Sequence, residues 1–242
     1  MKIALAQMQS RPGTITATID KHIRYIQIAA ASHANAIFFP ELSLLNYEPS
    51  LASQFRMEPD ALQLSVFREL SAQYRITIGL GIPLADKKKT KIAMAIFQPG
   101  KPVTVYAKQF LHEDEKPYFS PGYEQIIIKV ENDIIAPAIC YEGMVPEHLE
   151  KAVGLGASVY LVSVAKDENG VQKAYDYFPE QARKYQIPIL MCNAVGRTDT
   201  FISAGGSAVW NAKGERVGVL SSSESILIYN VASGMVEVQT IA

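Results

Sequence analysis

The stretch QIIIKVENDIIAPAICYE, residues 125–142, holds two kinds of chain reversal around one strand. Gln125–Val130 and Ile134–Ile139 are apolar, β-rich runs separated by Glu131-Asn132-Asp133, which reads as a hairpin. The second run ends on Cys140. A helix is predicted at about Pro146–Val153, with Pro146 suited to its first turn, and a further apolar strand at Ser158–Val164. Strand, helix, strand is a crossover, so the strand before Cys140 takes part in a hairpin on one side and a crossover on the other.

The same mixture extends in both directions. Toward the N-terminus, Lys2–Gln7 reads as a strand, and Ile19, Ile23, Ile26 and Ala30 share one face of a helix. Ala36–Phe39 is a short buried strand stopped by Pro40. Leu64, Phe67, Leu70 and Tyr74 mark a second helix, and Ile76–Ile82 a glycine-containing strand. Ile92–Phe97 and Val103–Ala107 form a hairpin about Pro99-Gly100. Toward the C-terminus, a helix at about Val171–Tyr185 precedes a strand at Ile187–Asn193, and Pro179 should kink that helix or delay its start. The tail is β-rich: Ser207–Trp210, a turn near Lys213-Gly214, Val217–Leu220 and Ile226–Val231. Hairpins mixed with crossovers imply a sandwich of two mixed sheets covered by helices. No linker or repeat divides the chain, so residues 1–242 are read as one domain.

Composition narrows the function. Lys and Arg number 23 against 24 Asp and Glu, a net charge of −1, which offers no basic excess for a nucleic-acid backbone. Lys87–Lys89 reads as a solvated turn. No secretory leader and no apolar run of membrane-spanning length is visible. Two cysteines, Cys140 and Cys192, do not make a disulfide scaffold and fit a reducing cytoplasm. His22, His33, His112 and His148 are scattered without metal-ligand spacing, and the glycines form no dinucleotide fingerprint.

Three polar residues stand where apolar strands end: Glu41, Lys108 and Cys140. Each alone has an ordinary reading, as a loop carboxylate, a solvated cation and a small core thiol. Together they make chemical sense. A thiol needs a base, a carboxylate in a partly dry pocket can be one, and an ammonium can hold a thiolate and then an oxyanion. Cys192, between Leu190-Met191 and Asn193, reads as a core thiol. Tyr175, Tyr177 and Phe178 read as packing residues.

The surrounding blocks resemble the nitrilase (carbon–nitrogen hydrolase) superfamily. Phe38-Phe39-Pro40-Glu41-Leu42 is similar to the block around its general base, Tyr106-Ala107-Lys108 to the block of its lysine, and Ile139-Cys140-Tyr141-Glu142 with Pro146-Glu147 to its nucleophile elbow. Glu115-Lys116 with Tyr118-Phe119-Ser120-Pro121-Gly122 resembles the segment of a second glutamate. Asn193-Ala194-Val195-Gly196 and Gly206-Ser207-Ala208-Val209 resemble the late strands. The blocks fall in family order across almost the whole chain.

The resemblance implies a four-layer αββα sandwich, an α+β or α/β fold of two mixed sheets flanked by helices. It also implies a homodimer or higher homo-oligomer, a small-molecule amide substrate, and no cofactor. Cys140 would form a thioester with a small linear amide or N-carbamoyl amine. Glu41 would act as base and acid, Lys108 and the Tyr141 backbone N–H would hold the oxyanion, and Glu115 would orient Lys108. Glu142 and Lys166 are further candidates for substrate contact. The alternatives are a true nitrilase, whose elbow usually carries Trp where this chain has Tyr141, an acyltransferase, and a silent binding protein on the same fold. Gln109-Phe110-Leu111, without the usual His, and Glu142-Gly143-Met144 depart from the family pattern near the acyl pocket.

Overall fold

Val159–Val164 is buried at all six positions, although side chains along a strand alternate between two faces. A strand is apolar on both faces when both are covered. Ala36–Phe38 and Ile189–Asn193 are buried throughout in the same way. These strands lie at the middle of two stacked sheets, each with helices on its outer side. The computed structural model describes residues 1–87 and 89–241. Lys88, at the centre of the lysine run, and Ala242 lie outside the described residues.

The strands are β1 (Lys2–Gln7), β2 (Ala36–Phe38), β3 (Thr77–Asp86), β4 (Lys89–Phe97), β5 (Thr104–Ala107), β6 (Ile128–Val130), β7 (Asp133–Ile139), β8 (Val159–Val164), β9 (Ile189–Asn193), β10 (Val195–Arg197), β11 (Ile202–Ala204), β12 (Ala208–Trp210), β13 (Arg216–Val219), β14 (Ser225–Asn230) and β15 (Val236–Thr240). The helices are α1 (Ile15–Ala31), the single turn α2 (Pro49–Ala52), α3 (Ser65–Tyr74), α4 (Pro146–Gly154) and α5 (Glu168–Tyr185). One sheet runs β15-β14-β1-β2-β3-β4-β5 and the other β13-β12-β9-β8-β7-β6; β10 and β11 pair as a ribbon.

Each sheet has a parallel trio within antiparallel flanks. β1, β2 and β3 run parallel in one, and β7, β8 and β9 in the other. An apolar layer including Leu5, Phe38, Met94, Ile139, Leu161 and Leu190 fills the space between the sheets. Tyr25, Ile26 and Phe67 of α1 and α3 cover the first sheet, and Leu149, Ala174 and Phe178 of α4 and α5 cover the second. The four-layer αββα sandwich is therefore present.

Several elements differ from the sequence expectation. The buried stripe of α1 is Thr18, His22, Tyr25, Ile26 and Ala29, with Ile19 and Ile23 only half-buried beside it. Polar atoms on that stripe are satisfied. His22 Nδ1 lies 2.8 Å from Thr18 O, its Nε2 lies 3.0 Å from Ser43 Oγ, and Tyr25 OH donates to Gln7 O at 3.2 Å. Hydrophobicity alone misplaces a face whose polar groups all find partners. The glycine-containing strand is longer, running on to Asp86, which pairs with Lys89 at the head of β4. The short strands β11 and β15 lie outside the expected elements, and β10 begins within the Asn193–Gly196 block. Helix α5 runs through Pro179 and starts at Glu168, earlier than expected rather than later, because Asp167 Oδ1 accepts from Gly170 N at 2.8 Å and caps it.

Candidate active site

Glu41 lies in the turn that leaves β2. Phe39 N–H still pairs with Gly79 O at 2.9 Å, and Leu44 N–H reaches Gly81 O at 3.0 Å, so the turn is laid against β3. A Cβ at Gly81 would fall 2.3 Å from Leu42 N and 2.6 Å from Pro40 O. Only glycine admits this approach. Leu42 takes a positive φ of 50° within the same turn. Lys108 follows β5 and is fixed by its own N–H to Ile92 O at 2.9 Å and by Gly122 N–H to its carbonyl at 2.7 Å. Cys140 ends β7 at φ +52°, a conformation costly for a side chain with a Cβ, and opens a single 3₁₀ turn to Met144. A tight bend at a strand end points the side chain away from the sheet.

Glu41, Lys108 and Glu115 meet although they come from different loops. Lys108 Nζ donates to Glu41 Oε1 at 2.8 Å and to Glu115 Oε1 at 2.6 Å. All three are buried: Lys108 is 0% exposed, Glu41 2% and Glu115 2%. Glu115 also accepts from Tyr47 OH at 2.9 Å and from His112 N–H at 2.8 Å. Its neighbours Glu113 and Asp114 are exposed and pair with Lys116 and His112. Of the three acidic residues in that loop, Glu115 alone joins the cluster.

Electrostatics follow from burial. Desolvation raises the Glu41 carboxyl, the charge and hydrogen bonds of Lys108 oppose it, and the Glu115 charge adds to it; the net direction is up. Burial alone would lower the Lys108 ammonium, but Glu41 and Glu115 outweigh it and keep the lysine charged. Desolvation, then the Glu41 charge, push the Cys140 thiol up to about 11, with Lys166 and Lys108 pulling the other way. Glu41 Oε2 is buried without a hydrogen-bond partner, and the Cys140 thiol is close enough to influence the carboxyl.

A cavity of about 520 Å³ opens over Cys140 and Glu115, lined also by Tyr141, Tyr47, Met144, Lys166 and Phe201 among others. Tyr141 and Lys166 thus border that cavity. Glu142 does not. It is 0% exposed and faces away from the cavity. Oε1 accepts from Tyr106 OH at 2.6 Å and Ile139 N–H at 2.7 Å, and Oε2 from Gln109 N–H at 2.7 Å and Phe110 N–H at 3.3 Å. With both oxygens occupied it has no atom for a substrate. It ties the Cys140 bend to the Lys108 strand end instead. Burial raises its carboxyl to about 7.

Two further residues in this support were not foreseen. His148 bridges Tyr106 and Tyr160 at 2.7 Å on each ring nitrogen, with burial lowering it to about 4. Tyr47 holds Glu115. Neither carries a local sequence signal, since their partners lie 42 and 68 positions away. Cys192 is fully buried, its Sγ 3.3 Å from Phe38 O, and stays a core thiol. Phe178 and Tyr175 pack on Trp210, outside the cavity. Among the described residues no cluster of three or more His, Cys, Asp or Glu is arranged to hold a metal ion, and no helix is long and apolar enough to cross a membrane.

Comparison with known proteins bears on the family and the fold. A family model described as carbon-nitrogen hydrolase matches residues 2–239. The glutamine-dependent NAD(+) synthetase of Thermotoga maritima is 28% identical over 226 residues, covering 89% of this chain and 39% of that protein. The chain thus spans about two-fifths of the length of that synthetase. A probable nitrilase of Schizosaccharomyces pombe is 24% identical over 240 residues, covering 95% of this chain and 88% of its own. The solved NitN amidase of Nesterenkonia sp. AN1 superposes with a TM-score of 0.85 at 24% identity, covering 95% of this chain and 92% of the amidase, and shares the fold. With the family model spanning nearly every residue, the chain belongs to the carbon-nitrogen hydrolase family.

Proposed function

We propose that this enzyme hydrolyses a small linear amide through a thioester on Cys140. The observation that carries the reading is the buried Glu41 carboxylate, whose Oε1 takes the Lys108 ammonium, whose Oε2 has no hydrogen-bond partner, and which lies within interaction range of the Cys140 thiol. In this reading Cys140 Sγ attacks the amide carbon, its proton passes to Glu41 Oε2, and the carbonyl electron pair becomes an oxyanion. Lys108 and the Tyr141 backbone N–H hold that oxyanion. Glu41 returns the proton to the nitrogen, the C–N bond breaks, and ammonia leaves. Water then attacks the thioester, giving its proton to Glu41, and the thiol is regenerated. Glu115 and Tyr47 keep the lysine directed.

The test is ammonia release from a panel of amides, N-carbamoyl amines and nitriles, run alongside two thiol variants. Cys140→Ala is expected to abolish turnover while Cys192→Ala keeps most of it. A turning-over Cys140→Ala enzyme rejects the mechanism. A Nesterenkonia amidase variant was solved with the acetamide moiety of fluoroacetamide covalently added at its active-site cysteine. The same reagent with Glu41→Gln here is expected to label the Cys140 peptide in mass spectrometry. A second reading, favoured by the similarity to glutamine-dependent NAD(+) synthetases, hands the ammonia to a synthetase partner. Multiple turnovers without any acceptor favour free hydrolysis.

A further inference from the structure

Lys166 lines the cavity beside Cys140 and is only half-buried, yet its ammonium has no carboxylate partner among the described residues. The one hydrogen bond of its Nζ is to Met144 Sδ, at 3.9 Å, and a thioether is a weak acceptor. Every acidic residue of the cavity wall is otherwise engaged. Glu115 holds Lys108, Asp114 pairs with His112 Nδ1 at 2.7 Å, and Asp167 caps α5 through Gly170 N.

The backbone that presents this lysine is held unusually firmly. Fully buried Asn193 accepts Lys166 N–H on Oδ1 at 2.9 Å and donates Nδ2 to Lys166 O at 3.1 Å, and Ala204 N–H reaches the same carbonyl at 2.9 Å. A lysine meant only for solvent needs no such clamp. A half-buried ammonium on a cavity wall, without an anion of its own, can be paired by a ligand that brings one. The same wall carries apolar Met144 and Ala165 and the tilted ring pair of Tyr47 and Phe201, centroids 5.6 Å apart.

Resting on the reading of Cys140 as nucleophile, we propose that Lys166 binds a carboxylate at the end of the substrate opposite its scissile amide. The substrate class is then a short linear acid monoamide, with methylenes against Met144 and the aromatic pair. A monoanion fits better than a phosphate dianion. One clamped ammonium faces the bound group, while Glu115, Asp114 and Asp167 repel extra negative charge. Exposed Lys173, also on the cavity wall, adds an outer positive charge for approach.

Two alkylating reagents of nearly one shape test this without knowledge of the natural substrate. Iodoacetate carries a carboxylate and iodoacetamide is neutral. Both form an S–C bond at Cys140 with loss of iodide. Each rate, followed on the Cys140 peptide and divided by the rate with free cysteine, gives a ratio in which the thiolate fraction cancels. The wild-type ratio is expected to favour iodoacetate, and Lys166→Gln to lower it by roughly tenfold to a hundredfold, the range for a hydrogen bond to a charged partner. Lys166→Arg is expected to keep most of the preference. In turnover, the monoamide of succinic acid is expected to exceed neutral 4-methylpentanamide in kcat/KM, a gap that Lys166→Gln closes.

A wild-type ratio at or below one, or a ratio unmoved by Lys166→Gln, overturns the subsite and leaves the nucleophile standing. Failure of both reagents at Cys140 overturns the functional reading, and the subsite falls with it. The wild-type preference needs no variant, so a misfolded Lys166→Gln leaves the proposal open to refutation.

Discussion

Glu41, Lys108 and Glu115 place two carboxylates on one ammonium, all shielded from bulk solvent. Removing the middle charge leaves two buried anions facing each other. Lys108→Ala is therefore expected to cost about 10²–10³ in rate as a lost oxyanion donor, and about 3–5 kcal/mol in stability. Steady-state kinetics with a denaturant melt check both, and a rate within a few-fold of wild type makes Lys108 purely structural. Glu115→Gln keeps the shape, but its new amide must oppose either Lys108 or the His112 N–H. It is expected to lower kcat strongly and to destabilise by about 1–3 kcal/mol. Glu113→Gln and Asp114→Asn, at exposed side chains, are expected to change little. Kinetics on the three variants compare them directly. Sensitivity at Glu113 or Asp114 instead of Glu115 contradicts the assignment.

At the scale of elements, helix α1 buries a histidine in its contact face. Burial, assisted by the nearby Lys21 charge, lowers His22 from the ordinary 6.5 to about 4. A folded-state value below the unfolded one means that the unfolded chain takes up the proton first. The contribution of His22 is thus complete above pH 6.5 and is lost as pH falls through about 4. His22→Gln is expected to be less stable than wild type at pH 8, with the gap narrowing by about 2 kcal/mol at pH 5. Urea melts of both proteins at the two pH values measure it. A gap independent of pH shows that His22 is not held neutral. The elbow on the other sheet follows the same physics with opposite sign, since burial raises Glu142 to about 7 and favours its neutral form as pH falls.

Across the whole molecule, the site is a product of two sheets. Glu41 and Lys108 leave strands of one sheet, and Cys140 leaves the central trio of the other. Ser163 Oγ of β8 donates to Phe39 O at 2.7 Å, two residues before Glu41, and Gln7 of β1 accepts from Ser207 N–H at 2.9 Å at the entry to β12. Ser163→Ala leaves a buried carbonyl unpaired. It is expected to lower stability by about 1–3 kcal/mol and to reduce kcat more than a remote variant of equal stability loss, because the Glu41 turn loses its hold on the opposite sheet. Unfolding midpoint and kcat on one preparation decide this. An unchanged kcat shows that the sheets are aligned without that bond.

What was legible in the sequence was local. Strand-ending positions mark Glu41, Lys108 and Cys140, because an apolar run interrupted by Pro40 or a bend is visible over a few residues. The mixture of hairpins and crossovers was legible for the same reason, and it led to the layered sandwich. The rest depended on partners far apart along the chain. Glu142 looked like a substrate contact beside the nucleophile, yet the 3₁₀ turn swings it inward to donors 30 and more positions away. The face of α1, the grip of Tyr47 on Glu115 and the clamp of Asn193 on Lys166 were decided in the same way. A buried polar group goes where its hydrogen bonds are completed, and those partners exist only once the two sheets have stacked.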